Sequence, residues 1–420
     1  MRISDLAKEA YSHDDTVLRR WISFVVGVGI IGSLVSIALS YVLFGVVLLL
    51  WIIHCVKLGT LHVKIPGFFA WIGAFVLASV ISIIFSSDIM TSLPSLGKHI
   101  RFLWVPMIFT YLGRRHVENV LKALFIVMGI SATYAILQYF WLWEVDLLHR
   151  IQGFMGHWMT FSGQLMLCSV ALTGYLLYRL NPNSDEDQES LSKSESHKFF
   201  SGAGSFCIWI LLLTIMIFTL VLTQTRSSWL GTLCGFFILL WVYRKKWIVP
   251  GIVLVVVIFF ASPETYKQRL YSSFDPNDTT TQIRLELLKT GRNIVADHPW
   301  IGLGPRTVPK FYRDYNETDD FPEWIYQHLH NNFVQIAAEM GLITVILWMA
   351  LWIRLVWDFI SFARQSHYDG FAVGTAVGSI AVLVAFLAAG FLEYNFGDSE
   401  ILILLLFFLT IPYVVNNGQE

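Results

Sequence analysis

The chain has 420 residues, of which 55% are hydrophobic and 14% charged, and its mean hydropathy is +0.60. This composition excludes a soluble globular domain and predicts an all-α polytopic membrane protein surrounded by membrane lipids. The formal net charge is -1, and nucleic acid is not expected as a partner.

Apolar runs recur along the whole chain, and crossing ~30 Å of hydrocarbon takes about 20 residues at 1.5 Å each. We predict twelve spans, at about residues 21–38, 40–56, 66–86, 100–113, 117–142, 160–179, 203–223, 227–243, 247–261, 332–357, 371–392 and 400–416. The polar stretch Thr223–Ser228 interrupts a run too long for one crossing. It is therefore predicted to be a tight turn between two helices.

The distribution of Lys and Arg predicts that both termini lie in the cytoplasm. With this orientation, the basic residues of the short outer loops are Lys98, Arg101, Arg150 and Arg226. Three parts follow: spans one to nine in residues 1–261, a large polar loop on the outer face at 262–331, and spans ten to twelve in 332–420. The polar segment Asn181–Lys198 is predicted to be a cytoplasmic connector.

Arg226 lies in the predicted tight turn. An arginine at a membrane boundary often only extends its side chain toward water. Because this turn is so short, it restricts where the guanidinium can go. A restricted guanidinium is suited to bidentate binding of a phosphate, so both interpretations stay open.

Arg284 lies in a segment that fits an amphipathic helix outside the spans. The apolar arc of that helix contains Ile283, Leu287, Leu288, Ile294 and Val295, whereas the opposite face, predicted to be solvated, contains Glu286, Lys289, Arg292 and Asn293. Arg284 falls inside the apolar arc. A buried charge needs an anion, which is either a carboxylate in a structural salt bridge or a ligand phosphate.

The stretch HLHNN, residues 328–332, immediately precedes a long apolar helix. A spacing of two keeps His328 and His330 off a common helical face, so they are predicted to precede the helix, with Asn331 or Asn332 as its N-cap. A histidine beside two constrained arginines suits a general base near neutral pH. A purely structural histidine is the alternative.

A zinc-binding site is the alternative explanation of the HxH pattern formed by His328 and His330. The best further ligands are Asp319, Asp320 and Glu323, but no HExxH motif or Cys pair accompanies them. No metal is therefore expected. Nucleotide hydrolysis and serine hydrolase chemistry have no support either, because GxxxxGK[ST] and GxSxG motifs are absent from the sequence.

Three segments resemble those of the O-antigen ligase family, with its related O-antigen polymerases and protein O-oligosaccharyltransferases. They are TQTRSSWLG (223–231), IRLELLKTGRNIVADHPWIGLGPRTVPKFY (283–312) and HLHNNFVQIAAEMGLITVIL (328–347). The resemblance implies a GT-C type glycosyltransferase in the bacterial inner membrane, with about twelve transmembrane helices and one large periplasmic loop containing amphipathic helices. It implies glycan transfer from undecaprenyl pyrophosphate to lipid A-core at the periplasmic face, without a metal or other cofactor.

By position, the resemblance implies that His330 is the catalytic histidine and that Arg226 and Arg284 hold the pyrophosphate. Less specific candidates for substrate binding are Arg101, Arg150, His157 and His328. A polymerase or a protein-glycosylating enzyme would share the donor and differ in acceptor, so that choice stays open. The alternative from another class is a transporter of lipid-linked glycan, which predicts charged or broken helices near the bilayer midplane.

Overall fold

The structure is a computed structural model that describes residues 3–142, 150–179, 203–272, 274–318, 327–366 and 369–417. Every regular element within these ranges is helical, as predicted. The α-helices are α1 (Ile3–Gly32), α2 (Ile37–Leu58), α3 (Phe69–Ile84), α4 (Ile89–Ser92), α5 (Trp104–Tyr111), α6 (Arg114–Leu137), α7 (Trp158–Arg179), α8 (Ala203–Leu222), α9 (Arg226–Tyr243), α10 (Ile248–Ala261), α11 (Glu264–Tyr271), α12 (Thr279–Asp297), α13 (Val308–Tyr315), α14 (Asn332–Gln365), α15 (Gly370–Ala389) and α16 (Ser399–Asn416).

Six helices of the described residues are long and apolar enough to cross a membrane: α2, α6, α7, α14, α15 and α16. The chain is therefore a multi-pass membrane protein. Helix α3 and the segment Phe206–Leu222 of α8 are apolar but shorter. The predicted span 100–113 is divided between a 3₁₀-helix, Leu93–Leu103, and α5, whose eight residues rise only about 12 Å. Twelve crossings and an outer-face position for residues 262–331 stay predictions.

The centre of the bundle is formed by α16, α7 and α15. In the most apolar 18-residue stretch of each helix, 83% of the residues of α16 and 78% of those of α7 are buried. Helix α9 approaches α15 closely, because a Cβ on Gly231 would lie 2.5 Å from the carbonyl oxygen of Ala385. Small residues are what allows membrane helices to pack this tightly. Helix α10 differs from all of these in having no buried residue.

The predicted tight turn is confirmed and is shorter than expected. Helix α8 ends at Leu222 and α9 begins at Arg226, so Thr223–Thr225 form the whole connection. Gln224 has a φ of +53°, and the indole of Trp229 donates to the carbonyl of Leu220 at 3.0 Å. The turn therefore fixes the start of α9, and Arg226 is its first residue.

Helix α12 is amphipathic, as predicted, and it begins at an Asp278 cap that accepts from Thr281 N at 3.1 Å. Leu287 and Ile294 are 1% and 0% exposed. The prediction of a solvated Glu286 is wrong, since it is 4% exposed. The chain after α13 folds back over this face, and Glu317 N donates to the Glu286 carboxylate at 3.1 Å.

Helix α14 is broken at Gly341, where φ is +80° and ψ is 169°. The loop 298–305 bonds to the backbone groups at the break. Leu303 N and Gly304 N donate to the carbonyls of Ala338 and Glu339 at 2.9 and 2.8 Å, and Leu342 N donates to Pro299 O at 2.8 Å. The HPWIGLGP segment therefore closes the gap in a membrane helix, which satisfies backbone groups that lipid could not.

Candidate functional site

The imidazole of His330 is paired with the buried carboxylate of Glu393. Its Nδ1 lies 3.1 and 3.0 Å from the two carboxylate oxygens. Burial raises the pKa of Glu393, but the charge and hydrogen bond of His330 and the charges of His328 and Arg284 outweigh burial and lower that pKa to about 2. An ionised carboxylate only accepts, so Nδ1 carries the hydrogen and Nε2 is the basic nitrogen.

The backbone around His330 is held in an uncommon conformation. Its φ is +48°, in the left-handed region, which costs a non-glycine residue about 1–3 kcal/mol. Asn331 is the N-cap of α14, which settles the predicted choice between two asparagines, and its side chain accepts from Phe333 N and Val334 N. Its Nδ2 also donates to Phe391 O at 3.0 Å. The cap therefore ties His330 to the segment that carries Glu393.

Asn332 adds a second tie between these segments. Its Nδ2 donates to Asn395 Oδ1 at 2.6 Å, and its Oδ1 accepts from Phe396 N at 3.0 Å. Both asparagines of the HNN motif thus fix the imidazole of His330 relative to Glu393.

His328 lies directly beside His330, with 4.1 Å between the ring centroids. Its Nδ1 accepts from His330 N at 3.3 Å, and its Nε2 lies 3.8 Å from a Glu393 oxygen. Burial, and then the charge of His330, lower the pKa of His328 to about 4. The neutral form of His328 is therefore favoured at its position in the site.

Four arginines lie close enough for their charges to interact: Arg150, Arg226, Arg269 and Arg284. Burial, followed by the charges of Arg269 and Arg284, lowers the pKa of Arg226 to about 10. Its Nη1 donates to Ser272 Oγ at 3.1 Å. Arg226 and Arg284, widely separated in sequence, are thus close enough for their charges to interact, and we name the four residues the arginine cluster.

Arg284 connects this cluster to the histidines. The carboxylates of Glu393 and Asp278 favour its charged form, but burial is the larger effect and lowers its pKa. Within the described residues, Arg284 makes no hydrogen bond and no ion pair within 4 Å. A structural salt bridge, the alternative considered from sequence, is therefore not found in that part of the chain.

Arg150 and His157 lie at the edge of the cluster. The Nη1 of Arg150 donates to Gln224 O at 3.5 Å, and its guanidinium lies 5.5 Å from the ring centroid of Trp158. The ring of His157 stacks on the same indole at 4.3 Å. Burial lowers the pKa of His157. The charge of Glu393 raises this pKa, and the charges of Arg150 and His330 lower it further. His157 is thus near His330, and Arg150 is near Arg226 and Arg284.

Arg101 lies apart from the arginine cluster. Its Nη1 donates to Gly397 O and Ser399 Oγ, both at 3.1 Å, and it is 6% exposed. It neighbours Asp398, whose carboxylate accepts from Thr160 Oγ1 at 3.3 Å. Burial, then the charges of Glu393 and Glu400, raise the pKa of Asp398 to about 7. Arg101 therefore positions the chain at the start of α16.

His328, His330 and Glu393 are also close enough to ligate a metal, with one ligand atom from each within 4.8 Å of the others. Structural and catalytic zinc sites take three or four protein ligands. The further ligands considered from sequence, Asp319, Asp320 and Glu323, lie outside the described residues. Since Glu393 already accepts from His330 at 3.0 Å, the geometry equally fits a histidine–carboxylate pair.

Three members of the site were missed from sequence: Glu393, Asp398 and Arg269. The first two lie in the polar interruption LEYNFGDSE between α15 and α16. That interruption resembles the turn that led to Arg226, so the same reasoning could have found them. Arg269 carried no comparable signal, because it lies among many charges in a polar segment.

Residues 211–349 match the family model described as O-Antigen ligase. The chain therefore contains an O-antigen ligase domain over this range. This family consists of glycosyltransferase-like enzymes that act on lipid-linked glycans. The matched range contains Arg226, Arg269, Arg284 and both histidines of the site, and it ends before Glu393.

Two further comparisons add no detail to the O-antigen ligase assignment. None of the curated proteins matches the chain. A solved structure described as "Structural coordination of polymerization and crosslinking by a peptidoglycan synthase complex" is similar over 84% of this chain and 97% of its own. Its sequence identity is 15% and its TM-score 0.44, so it carries no argument here.

Proposed function

We propose that this protein is an O-antigen ligase that transfers a glycan from undecaprenyl pyrophosphate to lipid A-core oligosaccharide. The reaction takes place at the periplasmic face of the bacterial inner membrane, is metal-independent and inverts the anomeric configuration. The observation that carries the proposal is the meeting of the arginine cluster with the His330–Glu393 pair, through Arg284 and Glu393.

In this mechanism the arginines and the histidine act on opposite sides of the anomeric carbon. His330 Nε2 takes the proton of the acceptor hydroxyl, whose oxygen forms the new bond to that carbon. The bond from the carbon to the phosphate oxygen breaks, and its electron pair leaves with the pyrophosphate. Arg226 and Arg284 stabilise the charge that develops there, and Glu393 stabilises the imidazolium.

One feature of the structure is also typical of transporters. Helix α14 is broken at Gly341, and transporters bind their substrates at broken helices. In transporters the freed backbone groups line a binding cavity. Here they bond to loop 298–305, which leaves them no ligand role. The break therefore favours a structural explanation over transport.

The proposal is tested by mixing the purified protein with a lipid-linked glycan and one of three acceptors: lipid A-core, a second lipid-linked glycan, or a pilin-like peptide. A covalent product with lipid A-core alone is expected. Product with only the second glycan identifies a polymerase, and product with only the peptide a protein-glycosylating enzyme. Movement of the glycan across vesicles without any product would identify a transporter.

Arg284→Ala is expected to raise the KM for the lipid-linked donor by about tenfold to a hundredfold, because a hydrogen bond to a charged group contributes about 1.5–3 kcal/mol. The matched control is Arg292→Ala, which removes an exposed guanidinium from the same helix and should leave KM unchanged. Steady-state kinetics on both variants measure this. An unchanged donor KM for Arg284→Ala would remove its phosphate role.

Millimolar EDTA is expected to leave the transfer rate unchanged, because the proposed charge stabilisation comes from guanidinium groups. Added Zn²⁺ is expected to inhibit, since binding at His328, His330 and Glu393 would occupy the general base. The transfer assay after dialysis measures both effects. Loss of activity with EDTA and its recovery with Zn²⁺ would instead make this a zinc enzyme.

A further inference from the structure

Arg269 is a member of the arginine cluster that neither the sequence resemblance nor the predicted mechanism uses. It lies on α11. Burial, followed by the positive charges of Arg150 and Arg284, lowers its pKa to about 10, whereas Asp278 opposes this shift. Arg269 thus faces the same space as the residues assigned to the pyrophosphate.

The placement of Arg269 is fixed by contacts to the rest of the site. Ser272 Oγ donates to Arg269 O at 3.2 Å and accepts from Arg226 Nη1 at 3.1 Å. Thr281 Oγ1 donates to Ser272 O at 2.8 Å, which joins this turn to the start of α12. One turn earlier in α11, Tyr266 Oη donates to Tyr139 Oη at 3.4 Å. Helix α11 is therefore docked onto the site by hydrogen bonds.

In the part of the chain that the structure describes, the guanidinium of Arg269 has no carboxylate within ion-pair distance, although the charge of Asp278 acts on it. Its Nε is buried and makes no hydrogen bond, and within the described residues it forms no ion pair. Arg269 is half-buried, and a charge partly removed from water is costly when it has no partner. Lys267, on the same helix, differs in this respect, since its Nζ lies 3.7 Å from Glu264.

The charge balance of the cluster points to a multiply charged anion. Among the described residues, the acidic groups whose charges act on Arg269 and Arg284 are Asp278 and Glu393, and Glu393 is already paired with His330. A diphosphate carries enough charge and enough acceptor oxygens for several guanidiniums at once. A single carboxylate or a neutral sugar does not.

We propose that Arg269 binds the diphosphate of the lipid-linked donor, together with the other arginines of the cluster. This inference rests on the proposed function. Helix α11 is bent by 114° from the preceding apolar segment Lys245–Ala261, in which α10 has no buried residue. The fully apolar α10 thus leads directly to a phosphate ligand, and a lipid tail lying along it would present its head group to Arg269.

The test compares Arg269→Ala, Arg269→Lys and the control Lys267→Ala in the full-length protein. We expect Arg269→Ala to raise the donor KM by about tenfold or more and to change kcat less. Arg269→Lys should recover part of the loss, because it keeps the charge without the bidentate geometry. Lys267→Ala should match the wild type. A wild-type donor KM for a folded Arg269→Ala overturns the inference.

A second measurement separates this inference from the proposed function. Binding of undecaprenyl pyrophosphate to the purified protein requires no acceptor and no turnover. Weaker binding by Arg269→Ala than by Lys267→Ala supports the inference even if the wild type transfers glycan to none of the three acceptors. Equal binding by both variants overturns it, whatever the transfer assay gives.

Discussion

His330→Ala is expected to lower kcat for glycan transfer by about a hundredfold to ten-thousandfold, which is the usual contribution of a general base. The donor KM should change little, because the arginine cluster remains. Steady-state kinetics in detergent or nanodiscs measure both constants. The matched control is His298→Ala, which removes a histidine that contacts Tyr315 Oη at 3.1 Å and lies outside the site.

The general-base assignment fails if folded His330→Ala protein retains the kcat of the wild type. It is strengthened by a double-mutant comparison with Glu393→Gln, which keeps an acceptor for Nδ1–H and removes the negative charge. Glu393→Gln alone should reduce kcat by less than His330→Ala does. Since Glu393 acts through His330, the double variant should be no slower than His330→Ala.

The sequence was sufficient for those parts of the site where a local rule applies. Arg226 was predicted because a polar island divides an apolar run that is too long for one helix. Arg284 was predicted because it interrupts the apolar arc of an amphipathic helix. Neither rule depends on the rest of the fold, so the structure could confirm the turn and the amphipathic helix.

The partners of these residues are non-local, and this is why they were missed. Glu393 approaches His330 only because α14 and α15 pack together and because Asn331 bonds to Phe391 O. Glu286 is buried by a chain segment that follows α13. Helical periodicity reports which face of an isolated helix is apolar, but not which polar face a later segment covers.

The number of spans was less predictable than their positions. Apolar runs mark where helices form, and each predicted span coincides with helical residues. Hydropathy does not reveal where a run divides into a 3₁₀-helix and a short α-helix, as it does around Leu103. Nor does it reveal a break such as that at Gly341, whose stability depends on loop 298–305.

Gly341→Ala is expected to destabilise the protein by about 3 kcal/mol or more. A φ of +80° with ψ near 169° is open to glycine and strained for other residues. The added Cβ would also lie 2.1 Å from Trp300 O, so the loop would have to move. Such a move would stretch the bond from Leu342 N to Pro299 O, which holds the break closed.

Thermal unfolding monitored by tryptophan fluorescence measures this effect, with Gly73→Ala as the control. Gly73 lies in α3, and a Cβ there would have no neighbour within 4 Å, so its Tm should stay level or rise, because alanine favours helix. A Tm for Gly341→Ala equal to that of Gly73→Ala would mean that the break in α14 is stable without its bonds to loop 298–305.

Because Asn331, Asn332 and His330 all lie at the start of α14, a lower Tm for Gly341→Ala should be accompanied by lower transfer activity. HPWIGLGP would then serve the reaction through the backbone of α14 rather than by contact with substrate.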